Sequence, residues 1–237
     1  MKVSIVIPAH NEEVNIEKTL DAIFKQTYHN FEVLVVDNAS TDKTNSILHA
    51  YKNKHHGLKL KILSENRKGT QWARECGRLD AEGGIIANID ADCIPHANWL
   101  EKGMHSFLVK EVVAVGGPYD YYDAPKMTRW FSLYFQKIFY FIVNIVLQKL
   151  HKGGVLIGGN VLLRADALEK AGGYNTDLVF YGDDTDTAKR MSRQGRVVFN
   201  RNLSMPTSAR RLKSQGVIRT SLIYFYHFFR IIFKKSN

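Results

Sequence analysis

Apolar residues in the first ninety positions fall into short continuous runs separated by stretches at helical spacing. Lys2-Val3-Ser4-Ile5-Val6-Ile7 predicts a first strand, stopped by Pro8. Ile16, Leu20, Ile23 and Phe24 then recur on one helical face. Phe31-Glu32-Val33-Leu34-Val35-Val36 predicts a second strand ending at Asp37. Asn38-Ala39-Ser40-Thr41-Asp42 opens a helix with Ile47, Leu48 and Tyr51 on one face. Leu58-Lys59-Leu60-Lys61-Ile62-Leu63 is a third strand. Gly69 begins a helix carrying Trp72, Cys76 and Leu79. A fourth strand, through Gly84-Ile85-Ile86-Ala87, ends in Asp90-Ala91-Asp92. Apolar strands alternating with helices predict a parallel, doubly wound sheet covered on both faces. Ligands gather at the carboxyl ends of such strands. Residues 112–117 and 155–164 add two strands, the second interrupted by Gly158-Gly159. Glycine within a strand marks either a bulge or a close approach of ligand or backbone.

Two later stretches follow a different pattern. Residues 127–150 are rich in aromatics and contain no acid. At ~100° per residue, Arg129, Ser132, Gln136, Lys137, Asn144 and Gln148 share one polar arc, opposite Trp130, Phe131, Phe135, Ile138 and Ile142. Residues 217–235 repeat the design, with Arg219, His227, Arg230 and Lys234 on a narrow polar side. Basic aromatic helices of this kind dock in membrane interfaces. The plainer alternative is burial against the core or in a homodimer.

Composition adds a charge asymmetry. The chain has 237 residues, 45% of them hydrophobic, enough for one large α/β domain. Its net charge is +10, yet no acid follows Asp186, and that last part holds 12 of the 33 Lys and Arg. An anionic partner for the C-terminal part is expected, namely an anionic membrane surface or a phosphorylated ligand. Nucleic acid is not expected, because no aromatic-basic RNA motif is present. Cys76 and Cys93 are too few for a disulfide framework and lack zinc-ligand spacing. With a strand at the very start and no cleaved leader expected, the reading is a cytoplasmic, reducing location.

Asp90 and Asp92 carry the candidate chemistry. Alternate residues on a strand face one way, so both can reach one site. Buried together they repel, and a hard divalent cation relieves the conflict. A surface turn with two solvated acids is the plainer reading. In Gly182-Asp183-Asp184-Thr185-Asp186 the acids, read alone, favour a helix N-terminus.

Taken as a set, Val6-Ile7-Pro8-Ala9-His10-Asn11-Glu12-Glu13, Val35-Val36-Asp37-Asn38-Ala39-Ser40-Thr41-Asp42 and Ile89-Asp90-Ala91-Asp92 resemble the family 2 glycosyltransferases of the GT-A fold. The match continues in order through residues 69–77, Gly158-Gly159-Asn160 and residues 181–186. The resemblance implies a GT-A-type, Rossmann-like, mostly parallel sheet with helices on both faces, to which the amphipathic helices are added. It implies a nucleotide-diphosphate sugar as donor, Mn²⁺ or Mg²⁺ as cofactor, and inversion at the anomeric centre. Pro8, Ala9 and Glu12 would line the nucleotide pocket, with Asp37 at the base, Asp90 at the ribose and Asp92 at the metal-bound diphosphate. Arg74 matches a pocket position, although Glu75 follows where the family has Asn. Asp184 matches the catalytic base, with Asp183 in place of the usual Glu; Gly158, Gly159, Asn160 and Asp183 fall on the acceptor side. Residues 206–211 resemble a loop after the last family strand, basic enough to cover a diphosphate.

The implied organisation is a glycosyltransferase domain over residues 1–211, with a donor half at 1–117 and an acceptor half at 118–211. The insert 127–150 lies in the acceptor half, and residues 212–237 form a basic amphipathic C-terminal helix. The expected activity is transfer of a sugar to an acceptor hydroxyl of a glycan or lipid at the membrane surface. A non-catalytic nucleotide- or membrane-binding module with the same fold is the alternative. A bilayer span within 130–147 is long enough, but it would put Asp92 and Asp184 on opposite sides of the membrane.

Overall fold

The computed structural model describes residues 1–178 and 181–233, the side chains of residues 217 and 218 excepted. Lys234 and the rest of the C-terminus lie outside the described residues. The strands are β1 (Val3–Ala9), β2 (Phe31–Asp37), β3 (Leu60–Ser64), β4 (Ile85–Ile89), β5 (Val112–Gly116), β6 (Tyr119–Tyr121), β7 (Asn160–Arg164), β8 (Arg196–Phe199) and β9 (Met205–Thr207). The helices are α1 (Ile16–Ile23), α2 (Thr44–Lys54), α3 (Thr70–Leu79), α4 (Trp99–His105), α5 (Lys126–Phe135), α6 (Phe141–Lys149), α7 (Ala165–Lys170), α8 (Asp183–Met191), α9 (Arg210–Gln215) and α10 (Val217–Phe233). A π-helical turn, Gln136–Tyr140, joins α5 to α6.

Among the described residues, seven strands form one sheet in the order β3-β2-β1-β4-β7-β5-β8. The first four run parallel, as the apolar runs predict. β7 lies antiparallel between β4 and β5, a reversal that the apolar pattern does not encode. β7 also starts only at Asn160, because residues 155–159 are not paired as a strand. A second, two-stranded sheet pairs β6 with β9 in parallel. Residues 205–207, expected within a loop, are therefore a strand, and α9 follows them.

Alternation along the strands builds a core on each face. Val3, Ile5, Ile7, Val33, Val35 and Ile85 pack against α1, α2 and α4. Val6, Val36, Ile86, Val161 and Leu163 pack against α3, α7 and α8. Each fully buried Val, Leu or Ile contributes roughly 1.5–3 kcal/mol. Helix α3 departs from the expected face. Its buried residues are Gln71, Ala73, Arg74 and Gly77, whereas Leu79 is exposed. Gly77 is required there, since a Cβ would collide with Val6 of β1. The helix thus turns a polar edge, Gln71 and Arg74, toward the carboxyl end of the sheet.

The α5–α6 helix is amphipathic in the inverted sense. Its polar arc faces the protein: Gln136 and Asn144 are only 6% and 7% exposed. Asn144 donates to the Val197 carbonyl at 3.1 Å and accepts from the Val155 amide at 2.9 Å. Arg129 donates to Asp120 at 2.7 Å. Trp130 and Phe131 on the opposite arc are 61% and 68% exposed, with Ile138 and Ile142 beside them. α10 meets this helix through the Phe139–Phe225 rings and exposes Leu222, Tyr226 and Phe229. A small third core, Leu147, Val155, Phe199 and Ile232, anchors both helices. Lys126–Lys149 is long and apolar enough to cross a membrane. Its polar residues nonetheless bond to the body along its length, so the helix runs along the domain.

Candidate active site

The site forms where the ends of β1, β2 and β4 meet α3, α8 and the β6–β9 pair. Asn11 takes a left-handed conformation (φ 55°) and accepts from the Thr41 amide at 2.8 Å. The Glu12 amide donates to Thr44 Oγ1 at 2.7 Å. The loops after β1 and β2 are thereby locked together. Pro8 and Ala9 pair in register with Val36 and Asp37. The Ala9 methyl lies in the core, so Ala9 offers only backbone, and its carbonyl accepts from the Asn38 amide. Asp37 accepts from the Ser40 amide at 3.2 Å and from Asn45 at 2.9 Å. No hydrogen bond among the described residues joins it to the carboxylates below.

Arg74 gathers the other predicted residues. It is only 4% exposed, and its guanidinium lies 3.3 Å from Asp90, 3.2 Å from Asp183 and 3.5 Å from Asp184. Gln71 donates to Asp183 at 2.5 Å. One cation thus faces three acids, with the electrostatics strengthened by burial. Among the described residues, Arg74 Nε and Gln71 Oε1 have no hydrogen-bond partner. The acids at the start of α8 do sit at a helix N-terminus, yet Asp183 and Asp184 also turn to Arg74.

The two glycines lie against the Asp184 and Asp90 carboxylates. A Cβ on Gly158 would collide with Asp184 and with the Arg74 guanidinium. One on Gly159 would strike Asp90 and the Tyr119 hydroxyl. Close approach, rather than a plain bulge, explains them. Asn160, expected on the acceptor side, is fully buried instead. It accepts from Trp99 Nε1 at 2.8 Å and donates to the Leu203 carbonyl at 2.7 Å. Its role is to fix the glycine turn in the core.

Burial and neighbouring charge shift two carboxyls in the same direction. Asp184 is pushed up to about 7, first by burial and then by Asp183, against the pull of Arg74. Asp92 is pushed up to about 6 by burial and by Asp90, with Arg210 opposing. Arg210 lies 3.2 Å from Asp92 and also pairs with Glu12. Thr207 donates to Asp92 at 3.2 Å.

A divalent cation fits this donor set only with help from a substrate. Among the described residues, no three or more His, Cys, Asp or Glu converge on one point. Asp92 is nevertheless a buried hard-oxygen donor facing a cation, the Arg210 guanidinium. Magnesium-type sites commonly combine one or two carboxylates with substrate phosphates. Tyr119 belongs to the site without any motif to mark it, whereas Gln71 and Thr207 fall inside the matched stretches 69–77 and 206–211. The Tyr119-Asp120-Tyr121 alternation after Gly116-Gly117-Pro118 is the only sequence signal for β6.

The geometry can be set beside known proteins. A family model described as glycosyl transferase family 2 matches residues 4–172. The glycosyltransferase AglE of Haloferax volcanii is 32% identical over 186 residues, which is 76% of this chain and 58% of that protein. An Escherichia coli protein, the UDP-Glc:alpha-D-GlcNAc-diphosphoundecaprenol beta-1,3-glucosyltransferase WfgD, is 34% identical over 118 residues, 50% of this chain and 46% of its own. Among solved structures, the mannosyltransferase PcManGT of Pyrobaculum calidifontis, in complex with GDP-Man and Mn²⁺, superposes with a TM-score of 0.78 at 24% identity. That match covers 99% of this chain and 65% of the mannosyltransferase. The fold is α/β of the GT-A type. The chain spans less than two thirds of the length of each of these proteins.

Proposed function

Because this chain belongs to glycosyl transferase family 2, we propose that it transfers a sugar from a nucleotide-diphosphate donor to an acceptor hydroxyl, with inversion, at a membrane surface. The observation that carries the reading is the Arg74 cluster, in which one guanidinium reaches both Asp90 and Asp184. Asp90 belongs to the donor side, with Pro8, Ala9, Glu12 and Asp37 at the neighbouring strand ends. Asp184 belongs to the acceptor side, over Gly158 and next to Asp183. Residues 1–117 supply most of the donor half and residues 118–211 the acceptor half.

Asp184 is the proposed general base. An inverting displacement needs a carboxylate opposite the leaving group to take the acceptor's proton, and the ideal pKa lies near the working pH. A carboxyl raised to about 7 meets that need. Asp92 would hold Mn²⁺ or Mg²⁺ together with the donor diphosphate. That cation would supply Lewis-acid neutralisation of the leaving group's growing charge. Arg210, already paired to Asp92 and Glu12, is placed to accompany the diphosphate.

The outward aromatic arc of α5–α6 and α10 supports docking on an anionic membrane, as does a C-terminal part with 12 Lys and Arg and no acid after Asp186. The domain would then be peripheral, on the cytoplasmic side. The inner face of α10, through Ile231, lies against Gly182, immediately before Asp183 and Asp184, which supports an acceptor side adjoining that helix. A lipid-linked acceptor fits this arrangement, and WfgD's name describes one. The testing experiment is transfer from UDP-Glc and GDP-Man with Mn²⁺ to polyprenyl-diphosphate sugars in anionic vesicles. Transfer that requires Asp184 and Asp92 supports the reading. Donor binding with neither transfer nor hydrolysis favours the non-catalytic module.

A further inference from the structure

Tyr119 stands where the donor-side carboxylate, the glycine turn and the aromatic helix meet. Its hydroxyl donates to Asp90 Oδ2 at 2.8 Å and accepts from the Gly159 amide at 3.0 Å. The other Asp90 oxygen is held by Arg74 at 3.3 Å. Each carboxylate oxygen is therefore held by a different donor, while the side chain stays 36% exposed. Burial and the neighbouring Asp90 charge hold the Tyr119 phenol well above its ordinary range, so it remains a donor.

The backbone of Tyr119 is secured as tightly. Gln136, the first residue of the π-helical turn, accepts from the Tyr119 amide at 3.0 Å and donates to its carbonyl at 3.1 Å. This imitates a strand pairing on the side of β6 that β9 does not cover. Asp120, the next residue, is gripped by Arg129 of α5. π-helical turns inside α-helices are often found at functional sites, and here the turn carries the residue that holds β6.

We propose that Tyr119 is a positioning residue for the donor site, fixing the Asp90 carboxylate in the orientation that meets the ribose and tying it to the glycine turn under Asp184. The inference rests on the assignment of Asp90 to the donor. Without the hydroxyl, Asp90 is free to rotate toward Arg74, and the Gly159 amide loses its partner. An isosteric Phe keeps the ring and its packing beside Tyr121.

The test is a double-mutant cycle on Tyr119→Phe and Asp90→Asn, read by calorimetric affinity for UDP and GDP with Mn²⁺ and by donor KM and kcat. Tyr119→Phe should weaken nucleotide affinity and raise donor KM about tenfold, the scale of one lost hydrogen bond to a charged acceptor. At saturating donor, kcat should be nearly kept. In the Asp90→Asn background the same substitution should add little, because residues acting as one unit are non-additive. Equal effects in both backgrounds, or an unchanged affinity in Tyr119→Phe where Asp90→Asn weakens it, would overturn the proposal. An Asp90→Asn protein that binds both nucleotides as the wild type does would instead remove the donor assignment, and the inference with it.

Discussion

The raised Asp184 carboxyl makes the pH dependence of transfer a quantitative test. An ordinary aspartate is almost fully ionised at pH 6. A carboxyl titrating near 7, as burial and Asp183 dictate here, is only about one-tenth ionised at that pH. Only the ionised form accepts the acceptor's proton. The rate at saturating donor should therefore rise about tenfold from pH 6 to 7.5 and level off above it. The assay is single-turnover transfer with donor held saturating, so that titration of Asp92, which acts on donor binding, does not enter. The folded pKa lies above the unfolded value, so ionised Asp184 opposes folding. That cost is absent below about pH 4, grows as the unfolded chain alone ionises, and is complete above about pH 7. Asp184→Asn should accordingly melt higher than wild type at pH 8, with the gain shrinking toward pH 4. A rate that is flat from pH 5.5 to 7.5, with a melting temperature indifferent to the substitution, would refute the reasoning.

The other expectations are more local. Arg74→Gln leaves Asp90, Asp183 and Asp184 without their shared cation, so urea unfolding should show a loss of about 3–5 kcal/mol; an unchanged midpoint contradicts the network. Asp92→Asn should keep the fold and lose the Mn²⁺ dependence of nucleotide affinity, and isothermal titration with and without Mn²⁺ decides it. The combined change Trp130→Ser, Phe131→Ser, Ile138→Ser removes only exposed apolar groups, so it should abolish flotation with phosphatidylserine vesicles while leaving melting within a few degrees. If flotation persists, the aromatic arc is not the docking face; a concentration-dependent dimer lost in the variant would point to a second copy.

Much of residues 1–117 was legible because its signals are local. Apolar runs at residues 3–7, 33–36 and 85–89 match β1, β2 and β4, and Asp37 and Asp90 close the second and third at the carboxyl edge of the sheet. Residues 118–211 depend on long-range choices. Nothing in Val161-Leu162-Leu163 tells whether a central strand runs parallel or antiparallel, since both are fully buried. The short β6 and β9 strands, three residues each, carry too little periodicity to stand out. Periodicity found the two arcs of residues 127–150 but could not say which one faces inward. Hydrogen bonds that Gln136, Asn144 and Gln148 exchange with the backbone of Tyr119 and Val197 decide it. Tyr119 was unreadable for the same reason, and so was the bond from Thr207 to Asp92 within the stretch 206–211, because each contact is made across the fold.

Whether Arg74 joins donor and acceptor chemistry in one site is tested most directly by comparing Asp184→Asn with wild type in one experiment. Single-turnover transfer from UDP-Glc or GDP-Man, with Mn²⁺ and vesicle-borne polyprenyl-diphosphate sugar, is measured alongside donor affinity; donor hydrolysis stands in where no acceptor turns over. The account predicts a rate loss of about 10²–10⁴-fold with donor affinity unchanged. A folded Asp184→Asn protein that transfers or hydrolyses at the wild-type rate would contradict it.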